Sequence, residues 1–119
     1  HFLYPNEQTR LFMYNQGIVM RLEKSGDNTA LPRPIDHFLF FKTEKDRECF
    51  IYKAISQQYK MIAKDSTDRK DGPYRLQISK VDKADLVTVN KITSWVKTEA
   101  VRCKGSYEGW ETVIRKAQE

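Results

Sequence analysis

The chain has 119 residues, of which 39% are hydrophobic and 31% charged, enough apolar material to drive one core and too little length for a second independent one. No uninterrupted apolar run approaches the roughly 20 residues that a membrane-spanning helix needs; Phe38 to Phe41 is only of strand length. The formal charge of +5 comes from 21 basic and 16 acidic residues interspersed along the sequence, which attracts anionic partners without forming the one-sided basic face of a dedicated nucleic-acid binder.

Between Asn6 and Lys24, Leu11, Tyr14, Ile18 and Leu22 recur at spacings of three and four, which predicts an opening helix with those four on one face. Gly17 interrupts it, and Ser25, Gly26, Asp27 and Asn28 end it with turn chemistry. Pro32 and Pro34 favour extended backbone, so a strand follows over 35–42. Its alternation places Ile35, His37, Leu39 and Phe41 on one face and Asp36, Phe38 and Phe40 on the other. Apolar residues on both faces predict an interior strand covered on both sides.

Thr43, with Glu44 and Asp46 behind it, has the chemistry of an N-cap and acidic first turn. Arg47, Phe50, Ile51, Ala54 and Gln58 then continue with helical period. Tyr59, Met61 and Ala63 alternate with Lys60, Ile62 and Lys64 in a second strand, and Asp71-Gly72-Pro73 is a turn signal. Lys64 to Lys70 is expected as a solvated hairpin loop. Tyr74, Leu76 and Ile78 alternate with Arg75, Gln77 and Ser79 in a half-buried third strand, completing a hairpin. From Leu86 through Val89, Ile92, Thr93, Val96 and Ala100 to Cys103, an apolar stripe marks a third helix that stops near Gly105. The aromatic stretch 106–114 supplies the last strand.

The expected fold is therefore α+β: a ferredoxin-like β-α-β-β-α-β sandwich over 31–119 with an additional N-terminal helix and turn over 1–30, together one domain. Both crossover helices would lie on one face of the sheet. The opening helix is expected to cover the other face, burying Phe38 and Phe40; if it does not, those rings are free to stack on RNA bases beside nearby Lys and Arg residues.

Motifs that would carry catalysis are missing from the sequence. Glycines stand singly at turns with no phosphate-binding loop, and no Ser, Thr or Cys sits in a nucleophile context. Cys49 and Cys103 make neither a CxxC motif nor a zinc-ligand spacing and read as reduced, partly buried thiols. Asp36 and His37 are adjacent, yet neighbours on a strand point to opposite faces and do not form an acid-base pair. No enzyme, cofactor or metal site is expected. Because the sequence starts at His1, a removed signal peptide or a further domain upstream would be invisible, and an accessory domain of a larger protein is a third reading.

Two segments carry a resemblance: Pro32 to Phe41 (PRPIDHFLFF) and Gly105 to Thr112 (GSYEGWET). Together with the opening helix and its Ser-Gly-Asp turn they resemble the ribonuclease E inhibitor B family, the regulators of ribonuclease E activity B, over nearly all of the chain. That resemblance implies a ferredoxin-like, cytoplasmic, bacterial, non-enzymatic protein that binds the endoribonuclease of the RNA degradosome and restrains its cleavage of RNA. The best-known members are markedly acidic, whereas this chain is basic, which reverses the sign of electrostatic steering toward a basic partner. The candidate partner-binding residues are Asp36, His37, Tyr107, Glu108 and Trp110. Trp110 has two readings, an anchor for the partner or a ring that closes the core against the first strand, with Gly109 as a bulge beside it.

Overall fold

The computed structural model describes residues 7–116. Among them are helices α1 (Glu7–Lys24), α2 (Glu44–Ser56) and α3 (Leu86–Arg102), and strands β1 (Arg33–Phe41), β2 (Lys60–Ser66), β3 (Tyr74–Asp82) and β4 (Gly105–Thr112). The four strands form one antiparallel sheet in the order β2-β3-β1-β4. The β1 strand is interior, as its two-sided apolar pattern predicts, and β2-β3 is the expected hairpin. Asn6, expected as the first residue of the opening helix, and His1 lie outside the described residues.

Local chemistry sets the element ends. Thr43 caps α2, its Oγ1 accepting from the backbone N–H of Asp46 at 3.0 Å. Asp85 caps α3 by accepting from the N–H of Thr88 at 3.1 Å and from the Thr88 hydroxyl at 2.7 Å. Past the C-cap of α3, Lys104 takes φ of 63° to turn the chain into β4.

Helices α2 and α3 pack on the face of the sheet formed by Ile35, His37, Leu39 and Phe41 of β1 and Leu76 and Ile78 of β3. The larger apolar cluster lies between these strands and Phe50, Ile51 and Ala54 of α2 and Val96 and Ala100 of α3. A smaller one gathers Leu22, Ile35, Ala84, Val89 and Trp110, with Ile18 against it. Helix α1 joins this second cluster, so it sits beside α3 in the helical layer, and among the described residues no helix packs on the opposite face of the sheet. This corrects the expectation that α1 buries Phe38 and Phe40 and covers β1 from its second side. The inward stripe of α1 is also different: Asn15, Val19 and Leu22 are buried, whereas Tyr14 is exposed, because the helix turns an amide, and not a phenol, toward Trp110.

The cysteines are corrected as well. Cys49 of α2 and Cys103 at the end of α3 form a disulfide that spans 54 positions, with Cα atoms 5.8 Å apart. The middle of α2 meets the C-cap of α3, which two isolated cysteines in a linear sequence do not announce.

A buried ion pair secures the turn after α1. Arg33 and Asp27 form a two-pronged pair at 2.7 and 2.8 Å with both side chains fully buried. The remaining guanidinium N–H groups donate to the carbonyls of Leu31, Val113 and Asn28, so all five donors are satisfied. The same carboxylate accepts from the backbone N–H of Arg115 at 2.9 Å, which fastens the chain beyond β4 to the first turn.

Candidate functional site

Strand alternation divides the five candidate residues. His37 and Trp110 are cross-strand partners that both point into the helical layer, 1% and 4% exposed. Tyr107, paired with Leu39, lies under the same layer, and its hydroxyl is 2.7 Å from His37 Nδ1. Burial pushes the His37 imidazole down to about 4 against a smaller opposing pull from Asp36, so the ring is neutral near pH 7. Burial likewise pushes the Tyr107 phenol well above its ordinary value. The pair is a neutral hydrogen bond inside the core, with Tyr59 completing the ring cluster at 5.8 Å from His37.

Trp110 meets a polar network. Its indole Nε1 donates to Asn15 Oδ1 at 2.8 Å. Asn15 Nδ2 donates to Asn90 Oδ1 at 3.0 Å and to Thr93 Oγ1 at 2.8 Å, and the Thr93 hydroxyl donates to the Val89 carbonyl. The β4 register shifts between Phe38 and Leu39, and Gly109, at φ of +131°, stands in that irregularity. A Cβ there would lie 2.9 Å from the Tyr14 hydroxyl, so glycine is required by backbone and space together.

The other face of the sheet is where Asp36 and Glu108 are reachable. Asp36, Phe38 and Phe40 of β1 share this face with Ser79, Gln77 and Arg75 of β3 and with Glu111, Gly109 and Ser106 of β4. Gln77 Nε2 donates to Asp36 at 2.8 Å. Phe38 and Phe40 are half-buried, and Phe40 is capped by the guanidinium of Arg69, 3.9 Å from the ring centroid. Arg69 also reaches Asp71 and Glu108 at 3.5 and 3.6 Å. The hairpin connection is solvated as expected, with Thr67, Asp68, Lys70 and Asp71 exposed, but Arg69 folds back onto the sheet, and Lys64, expected within the connection, belongs to β2. Asp65 and Arg75 pair across the same face at 2.7 and 2.8 Å. Sequence reasoning missed Arg69, whose cation-π partner lies nearly thirty positions away.

Among the described residues, no group of three His, Cys, Asp or Glu side chains is arranged to hold a metal ion, and no helix is long and apolar enough to cross a membrane. The reachable groups on the open sheet face are carboxylates, an amide, two half-buried rings and paired guanidiniums, which suit recognition of another surface.

Comparison with known proteins decides the family. The family model described as regulator of ribonuclease activity B matches residues 13–112. The chain belongs to that family. The match runs from α1 to the last residue of β4, and so takes in Asn15, the PIDHFLFF strand and Trp110. A search of curated proteins found no match. Membership in the regulator of ribonuclease activity B family makes this chain one of a set of regulators, consistent with a protein partner such as a ribonuclease.

Proposed function

We propose that this protein is a non-catalytic, cytoplasmic regulatory domain that binds an endoribonuclease of RNA turnover and restrains its cleavage of RNA. The observation that carries the reading is the family match across residues 13–112. The element order β1-α2-β2-β3-α3-β4 and the strand order β2-β3-β1-β4 are compatible with a ferredoxin-like core preceded by α1, which we take as one unit.

The surface we assign to the partner is the open face of the sheet. Asp36, Glu108 and Glu111 supply carboxylates there and Phe38 supplies apolar area, while His37, Tyr107 and Trp110 fix the strand geometry from beneath. The face is of mixed charge, with Asp65 and Glu108 paired to Arg75 and Arg69, while Asp36, held by Gln77, and Glu111 supply its remaining carboxylates. Arg75 and Arg69 on this face are engaged by Asp65 and Glu108, which leaves them less available to a phosphate backbone, and the Phe40 ring is already occupied by Arg69. That weighs against RNA stacking on this face even though α1 does not cover it.

The test is an affinity pull-down from the native host's lysate, with and without ribonuclease treatment, using the wild-type chain and an Asp36→Lys/Glu108→Lys variant as baits. A ribonuclease retained after RNA is destroyed, and lost on the variant, supports the reading. Recovery that vanishes with the RNA overturns it in favour of nucleic-acid binding.

A further inference from the structure

A groove of about 490 Å³ runs on the helical side of the molecule, lined by Tyr59, Lys80, Asp82, Val87, Lys91 and Trp95 among others. The rings of Tyr59 and Trp95 are parallel within 5° with centroids 5.7 Å apart, and form its apolar wall. Val87, Lys91 and Trp95 stand at successive spacings of four on α3, so one stripe of that helix faces the groove. Val87 is 79% exposed, an apolar side chain presented at the lip. Lys80 lies 5.1 Å over the Tyr59 ring from the side of β3. Lys91 and the neighbouring Lys83 are exposed. Against these cations the groove holds one carboxylate, Asp82, whose proton affinity is raised by burial despite Lys80 beside it.

We propose that this groove binds a short acidic segment of a partner protein, its carboxylates meeting Lys80 and Lys91 and one aliphatic or aromatic side chain seated between Val87 and the Tyr59-Trp95 pair. Charge complementarity selects the occupant: cations rim an apolar wall, which rewards a segment that alternates carboxylates with large apolar residues and penalises a basic one. Lysine is a point charge on a flexible stem, suited to carboxylates in varied positions. The inference rests on the protein-binding reading above and adds a second contact surface, on the opposite side of the sheet from Asp36 and Phe38.

The experiment pans a random dodecapeptide library against the full chain and against Lys80→Glu/Lys91→Glu, with Lys60→Glu/Lys64→Glu as a control of equal net charge on β2. Near-UV circular dichroism verifies that each variant keeps its aromatic packing, and Lys91→Glu alone, at an exposed position, serves if the double variant does not. The expected result is enrichment of peptides carrying several Asp or Glu with Leu, Ile or Phe. The leading peptide, synthesised, should lose about tenfold or more in affinity on the groove variant and stay within about twofold on the control. No enrichment, enrichment of basic or uncharged peptides, equal loss on both variants, or displacement of the peptide by single-stranded oligouridylate overturns the proposal. Because the readout uses no nuclease, its failure leaves the pull-down result standing, and the reverse holds.

Discussion

The indole N–H of Trp110 donates to the side-chain carbonyl of Asn15 at 2.8 Å across 95 positions of sequence, inside the core. One buried amide thereby joins α1, α3 and β4, since Asn15 also donates to Asn90 and Thr93. A network of this kind is favourable while every member is satisfied and costly when one is removed. Asn15→Leu is expected to destabilise the fold by about 2–4 kcal/mol, read as a lower urea midpoint. Combining it with Trp110→Phe should cost less than the sum of the single changes, because both remove the same bond.

The Asp27-Arg33 pair is buried and fully hydrogen-bonded, so losing one partner strands a charge without solvent. Asp27→Asn and Arg33→Met should each cost about 3–5 kcal/mol, whereas the exposed pair Lys64-Glu48 should contribute under about 1 kcal/mol when broken. Burial alone would raise the Asp27 carboxyl, but hydrogen bonds from Arg33 and Arg115 outweigh it and hold the group below its ordinary 3.8. A depressed carboxylate stabilises above its unfolded value and loses that contribution as pH falls through the folded one. Asp27→Asn should therefore flatten the stability profile below about pH 4.

His37 acts in a higher window. Its folded value is pushed down to about 4 from 6.5 by burial, so between those limits the unfolded chain binds the extra proton. Its stabilising contribution is complete above 6.5 and is lost progressively as pH falls toward 4. Acidification to about pH 5 should remove about 2 kcal/mol. His37→Gln, which has no titrating ring, should abolish this segment of the profile in chemical denaturation series, whatever its cost at neutral pH.

Reduction of the Cys49-Cys103 disulfide releases a loop of 54 positions, which in the chain-entropy account destabilises by about 4 kcal/mol. Cys49→Ser with Cys103→Ala should lower the thermal midpoint of the oxidised protein, and a thiol reductant should then produce no additional decrease. A midpoint unaffected by reductant in the wild-type chain would remove the disulfide from the account.

The local layers of this fold were legible in the sequence. Thr43 reads as a cap because its hydroxyl and the following acids serve an N-terminus wherever it lies, and the alternation of Tyr74, Leu76 and Ile78 specifies a strand face without a partner. What sequence periodicity does not carry is which surface accepts a helix. The α1 stripe predicted through Leu11, Tyr14, Ile18 and Leu22 left out Asn15, which is buried in place of Tyr14, and a polar residue there is intelligible only once the Trp110 N–H arrives from β4. The disulfide and the Arg69-Phe40 contact are the same kind of long-range fact. For the candidate site, alternation separates Asp36 from His37, but which of them faces the helices is a tertiary fact, and Glu108 and Trp110, which plain alternation puts on one face, are separated only by the bulge opposite Phe38 and Leu39.

The central claim is tested most directly by the rate at which the host's purified degradosomal endoribonuclease cleaves a structured RNA, measured with increasing amounts of this protein. A saturable decrease in rate, absent with Asp36→Lys/Glu108→Lys and with no cleavage by the protein alone, is the predicted result. An unchanged rate at saturating protein, or RNA cleavage by the protein itself, would contradict the regulator reading.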